Sequence, residues 1–174
     1  MTTKSVRDVA DAVRGKRVLV RVDFNVPIDE AGLVSDDTRI RAAIPTLELL
    51  VKAGARVVLL SHFGRPKGKP ERKYSLSLVA DQFAKLAPFP AAFLAETDTD
   101  AAIAATNALK SGCALLLENT RFLPGEEAND DALSKRLAQL GDVFVNDAFG
   151  AAHRAHASTA GVCYPTVPTQ INRQ

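Results

Sequence analysis

Short apolar runs alternate with segments of helical period along this chain, and that alternation restricts its fold more than any other feature. Residues 17–22 (RVLVRV), 56–60 (RVVLL), 114–117 (ALLL) and 142–146 (DVFVN) are strand-length stretches rich in β-branched or apolar residues. Between the first two, Ile40, Ile44, Leu47 and Val51 recur at helical spacing, with Asp36 or Asp37 to cap the start and Gly54 to close the end. Leu76, Ala80, Phe83 and Leu86 outline a second helix before Pro88, and residues 91–94 (AAFL) suit a short strand. A further helix is expected over residues 99–111, closed by Gly112, and another from Asn129, Asp130 and Asp131 through Leu133, Leu137 and Leu140 to Gly141. The continuous apolar character of RVVLL and ALLL belongs to strands covered on both faces. Strands and helices in alternation predict a three-layer α/β/α, Rossmann-like domain with a mainly parallel sheet and right-handed crossovers.

Such sheets bind ligands beyond the carboxyl ends of their strands. Each of the first four strands named above leads into a polar, turn-rich segment: RVDFNVP (21–27), SHFGRP (61–66), ENTRF (118–122) and NDAFGAAHRAH (146–156). Parallel strands deliver these segments to one rim, so Asp23, Asn25, His62, Arg65, Arg121 and Arg154 should share a crevice, with Arg39 joining from the first crossover helix. Arginines crowded together repel one another unless an anion is usually present, and their planar fork suits phosphate and carboxylate. Asp23 and Asn25 would instead serve a hydroxyl, so the expected ligand is a hydroxylated, phosphorylated acid. Plainer readings stand beside this one. Asp23 could pair with Arg21, Asn25 and Asn119 suit turns, and His62 suits a loop cap. His153 and His156 suit structure or solvent, while Glu118, Asp147 and the acidic run 126–131 suit caps and surface charge.

Several function classes lack their residues. A net charge of +2 is too mild for a nucleic-acid partner, and the longest apolar runs fall far short of the roughly 20 residues that span a bilayer. The amino terminus has no apolar signal core, so a cytoplasmic location is expected. Cys113 and Cys163 form no metal-ligand spacing, and no metal site is expected. GRPKGKP (64–70) fails as a phosphate-binding P-loop, because only three residues separate its glycines and Pro70 stands where Ser or Thr should be. Neither a dinucleotide fingerprint nor a serine-nucleophile elbow is present.

RVDFNVP, DDTRIRAAIPT, SHFGRPKG, LLLENTRF and DVFVNDAFGAAHRAHAST, in that order, resemble the amino-domain motifs of phosphoglycerate kinase from about residue 5 to about residue 162. The resemblance implies a glycolytic phosphotransferase that moves a phosphoryl group between 1,3-bisphosphoglycerate and ADP, giving 3-phosphoglycerate and ATP. It implies that Asp23 and Asn25 hold the glycerate hydroxyl and carboxylate region. His62, Arg65, Arg121 and Arg154 would hold the phosphate that stays, and Arg39, the catalytic residue, would face the one that moves. Phe24, Phe63 and Gly64, in the same segments, are carried over as substrate-binding. MgATP or MgADP would bind a nucleotide domain, in the same or a separate chain, that residues 1–162 do not include. Residues 163–174 depart from the family and are expected to be irregular, with Pro165 and Pro168 opposing a helix. A truncation or altered reading frame is expected there, leaving a monomer that binds phosphoglycerate but is catalytically incomplete. A stand-alone anion-binding module and an inactive structural fragment are the alternatives.

Overall fold

The strands fall at the runs expected of them. In the computed structural model, which describes residues 10–148, 150, 154–163 and 170–172, β1 is Arg17–Arg21, β2 Arg56–Leu60, β3 Ala91–Leu94, β4 Ala114–Leu117 and β5 Val143–Asn146. A sixth strand, β6, spans Gln170–Asn172. All pair in parallel in the order β3-β4-β2-β1-β5-β6, with Leu19 of β1 opposite both Val58 of β2 and Phe144 of β5. The helices are α1 (Ala10–Val13), α2 (Thr38–Lys52), α3 (Ser77–Leu86), α4 (Asp100–Ala108) and α5 (Asp131–Ala138).

Side-chain alternation along the strands divides the interior into two cores. Val18, Val20, Val57, Leu59, Leu116 and Val145 face one side and pack with Ile40, Leu47 and Leu50 of α2 and Val79 and Phe83 of α3. Leu19, Val58, Leu60, Leu115 and Phe144 face the other, against Ala102 of α4 and Leu133 and Leu137 of α5. This is the expected three-layer arrangement, each buried aliphatic side chain contributing about 1.5–3 kcal/mol.

Some details differ from the sequence reading. The buried stripe of α2 runs through Ile40, Ala43, Leu47 and Leu50, while Ile44 and Val51 are only half-buried at its margin. Helix α4 ends at Ala108, because Leu109 is already extended and Gly112 belongs to a turn whose amide donates to Ala55 O at 2.8 Å. A 3-10 turn over residues 161–163 leads into the stretch 163–174 expected to be irregular, where β6 instead adds to the sheet, its backbone pairing with β5 overriding the weak local preference of QIN. Pro165 and Pro168 lie outside the described residues.

Candidate functional site

Four adjacent strands, β4, β2, β1 and β5, deliver their carboxyl ends to one cleft of about 270 Å³. Its lining is Asp23 and Asn25 after β1, His62, Gly64 and Arg65 after β2, Arg121 after β4, Gly150 and Arg154 after β5, and Arg39 from the first turn of α2. Asp23, Asn25, Arg39, His62, Gly64, Arg65, Arg121 and Arg154 were all placed here by the sequence reading. Phe24 and Phe63 were as well, but their side chains are buried in the core, Phe24 with its ring 5.2 Å from that of Phe83. Neither belongs to the described lining; their backbone amides tie the loops beneath it, Phe24 N donating to Ser61 Oγ and Phe63 N to Asn119 Oδ1.

The cleft's carboxylate has a partner, and it is not Arg21. Arg39 Nη1 donates to both Asp23 oxygens at 3.2 Å and to Asn25 O at 3.0 Å. Arg39 is 54% exposed, a setting in which an ion pair is worth about 0–1 kcal/mol, so an incoming anion can draw the guanidinium away at small cost. Asn25 is more than a turn residue, since its Oδ1 accepts from Gly64 N at 2.9 Å and ties the loop after β1 to the loop after β2. Gly150 closes over Asp23, where a Cβ would stand 2.9 Å from Oδ2.

Arg121 organises the loop after β2 while serving the cleft. Its Nη1 donates to Gly64 O at 2.8 Å and its own carbonyl accepts from Gly68 N, clamping residues 64–68. Burial lowers its pKa below the usual arginine value, helped by Arg154 and Arg65 and opposed by Glu127 and Glu126. Gly64 is required here: its φ is +61°, and a Cβ would collide with the Tyr74 ring at 2.3 Å. Arg65 and Arg154 are exposed and make no ion pair with any described residue, leaving both guanidinium groups free to meet a ligand.

His62 is buried to 7% exposure, with Nδ1 3.0 Å from Arg21 Nη2. Burial first, then the charges of Arg21, Arg121, His156 and Arg39, pull its pKa down to about 2, so the ring is neutral. Arg21 itself is 1% exposed and held at about 10 by burial, with Glu126 and Asp23 opposing the shift. Its Nε donates to Ser158 Oγ at 2.9 Å, and the Ser158 hydroxyl donates in turn to Glu126. Glu126 is 1% exposed, contrary to the surface charge expected of the acidic run, because residues 157–162 fold over it and Ser158 N and Ala157 N both bond to it. Glu118 does act as a cap, accepting from Leu76 N and Ser75 Oγ at the start of α3.

Asn119 exceeds its expected turn role. Its amide accepts from Phe63 N and Arg121 N and donates to Phe63 O and Tyr74 O, pinning three segments together. Sequence reasoning passed over Arg21, Glu126 and Ser158. The available signal was Arg21 itself, a cation ending a strand that is central in the sheet and covered on both faces, where a charge requires a partner. His156 is buried near Arg121 and Glu126, and His153 lies outside the described residues.

Comparison with known proteins places this geometry in context. The family model described as phosphoglycerate kinase matches residues 6–169. The phosphoglycerate kinase of Chloroflexus aggregans is 58% identical over 167 residues, covering 94% of this chain and 41% of that protein. That of Thermosynechococcus vestitus is 56% identical over 163 residues, covering 93% and 40%. The solved structure of phosphoglycerate kinase from Coxiella burnetii superposes with a TM-score of 0.85 at 37% identity, covering 99% of this chain and 42% of that one. The Pyrococcus horikoshii structure gives 0.82 at 30% identity, with 92% and 40% covered. The chain thus spans about two fifths of the length of these relatives.

Proposed function

The chain belongs to the phosphoglycerate kinase family, and from that premise we propose that residues 1–162 form its phosphoglycerate-binding part, taking 3-phosphoglycerate or 1,3-bisphosphoglycerate in the cleft after β1, β2, β4 and β5. One observation carries the reading. Arg39, Arg65, Arg121 and Arg154 converge on a cleft whose described lining holds a single carboxylate, Asp23. Arg65, Arg121 and Arg154 hold the non-transferred phosphate by charge-assisted bonds, with His62 as a neutral donor. Asp23 accepts from the glycerate hydroxyl once Arg39 leaves it. Arg39 then turns toward the migrating phosphoryl group and offsets charge on its equatorial oxygens, the main contribution a protein makes to phosphoryl transfer.

Magnesium nucleotide does not fit this cleft. Its lining is cationic, and a hard divalent ion needs carboxylate and carbonyl oxygens that Asp23 alone cannot supply. The proposal therefore assigns MgATP and MgADP to protein outside these 174 residues, with this chain acting by binding, orienting and charge stabilisation. No helix among the described residues is long and apolar enough to cross a membrane.

Isothermal calorimetry with 3-phosphoglycerate at low salt tests the reading. Saturable binding is expected, weakened about tenfold to a hundredfold by Arg65→Ala or Arg154→Ala, the worth of one charged hydrogen bond. Absence of heat at millimolar ligand, or wild-type affinity in both variants, refutes it.

A further inference from the structure

We propose that buried Arg21 is a positioning residue that fixes the tautomer of His62, so that the ring meets the cleft as a neutral Nε2–H donor. A guanidinium has five N–H groups and no acceptor, so the 3.0 Å contact between Arg21 Nη2 and His62 Nδ1 requires Nδ1 to be an unprotonated acceptor. The ring's one proton then sits on Nε2, which has no partner among the described residues although His62 lines the cleft.

Arg21 cannot turn away from this task. Strand alternation sends it to the same face as Leu19, where Nε bonds Ser158 Oγ and Nη1 bonds Val22 O, leaving Nη2 aimed at the imidazole. Ser158 also bonds Glu126 through both its hydroxyl and its amide, so the cation is anchored to a buried carboxylate on the far side. Five charged groups bear on the ring besides its own segment: Arg21 from β1, Arg39 from α2, Arg121 after β4, and, more remotely, Glu126 and Asp23 through their pull on Arg21. His156, also near the ring, is itself discouraged from protonating by burial. A charged imidazolium would add another cation to Arg39, Arg65, Arg121 and Arg154. A neutral donor adds a hydrogen bond for the ligand without adding repulsion.

The inference rests on the proposed ligand only for its functional arm. The structural arm is nitrogen-detected NMR of the ¹⁵N-labelled 174-residue chain, whose three histidines are separable by comparison with His62→Gln. The expected result is an unprotonated Nδ1 and a protonated Nε2 in His62 from pH 5.5 to 8, with no titration in that range. Arg21→Met removes the donor and the charge at similar length, and should release the tautomer so that Nδ1 carries the proton in part of the population, while burial, Arg121 and Arg39 still oppose a charged ring. Arg21→Lys, which keeps a donor, should restore the Nε2–H form. In calorimetry, Arg21→Met should weaken 3-phosphoglycerate binding about tenfold at pH 8, because part of the ring population no longer offers Nε2–H to the ligand, and Arg21→Lys should recover part of the loss. Protonated Nδ1 in wild type, or His62 titrating near 6.5 there, overturns the inference even if Arg21→Met does not fold. The expected wild-type tautomer together with no binding of 3-phosphoglycerate would overturn the proposed function and leave the tautomer assignment standing.

Discussion

Replacing Asn119 with alanine should cost more than the loss of any single surface charge in this chain. Asn119 is 0% exposed and makes four side-chain hydrogen bonds: from Phe63 N at 3.1 Å, from Arg121 N at 3.0 Å, to Phe63 O at 2.6 Å and to Tyr74 O at 2.8 Å. Asn119→Ala leaves two backbone donors and two acceptors without this partner, three of the four bonds being buried and that to Tyr74 O part-buried. At about 1 kcal/mol for each bond, the loss is about 4 kcal/mol, a large share of the roughly 5–15 kcal/mol that a domain has. A chain of this size should then melt about 8–16 °C lower. The same bonds set the spacing between the loop after β2 and the loop after β4, so 3-phosphoglycerate affinity should fall although Asn119 does not line the cleft. Urea unfolding and calorimetry below the melting range would measure both effects. A stability loss under about 1 kcal/mol would refute the reasoning, since it would mean that other groups or water satisfy those four atoms.

Three further outcomes follow from other parts of the molecule. Gly64→Ala should destabilise the fold by at least about 1 kcal/mol and weaken 3-phosphoglycerate binding, as its Cβ meets Tyr74 and its φ of +61° disfavours any side chain; unchanged urea midpoints and affinity would contradict this. Folded His62 resists protonation down to about 2, whereas the unfolded ring takes a proton near 6.5, so this group makes stability fall as pH drops below about 6.5. His62→Gln should flatten the slope of urea-derived stability between pH 6.5 and 4.5, and an undiminished slope would point to other groups. Asp142 has a depressed pKa, first through its hydrogen bond from the Arg17 side chain, so its contribution is present above the unfolded carboxyl value of 3.8 and lost as pH falls through the folded one. Asp142→Asn should therefore lower stability at pH 7 and reduce the further loss on acidification below about pH 4.

The parts of the fold legible in the sequence are those where one physical signal dominates. RVVLL and ALLL can hardly be anything but buried strands, and once four such strands are parallel, the residues that follow them must meet. That logic locates Asp23, Asn25, His62, Arg65, Arg121 and Arg154 without any knowledge of distances. The family resemblance, carried over segment by segment, does not separate side chains that reach the rim from their neighbours in the chain, and so it included Phe24 and Phe63, whose side chains lie in the core. Nor does the strand logic find partners distant in sequence. Arg21 and Glu126 are 105 residues apart in the chain and are joined through Ser158, a relation no local pattern encodes. Strand β6 was illegible for a related reason: three residues of weak β preference take their conformation from the neighbouring edge.

The order of the strands has a consequence for endurance. The cleft draws on β4, β2, β1 and β5, consecutive in the middle of the sheet, whereas β3 and β6 stand at its margins. Fraying should therefore begin away from the four strands that build the cleft. Either border strand can peel away and re-form while the arginines keep their relative positions, and amide exchange should reach the margins long before it reaches the floor of the cleft.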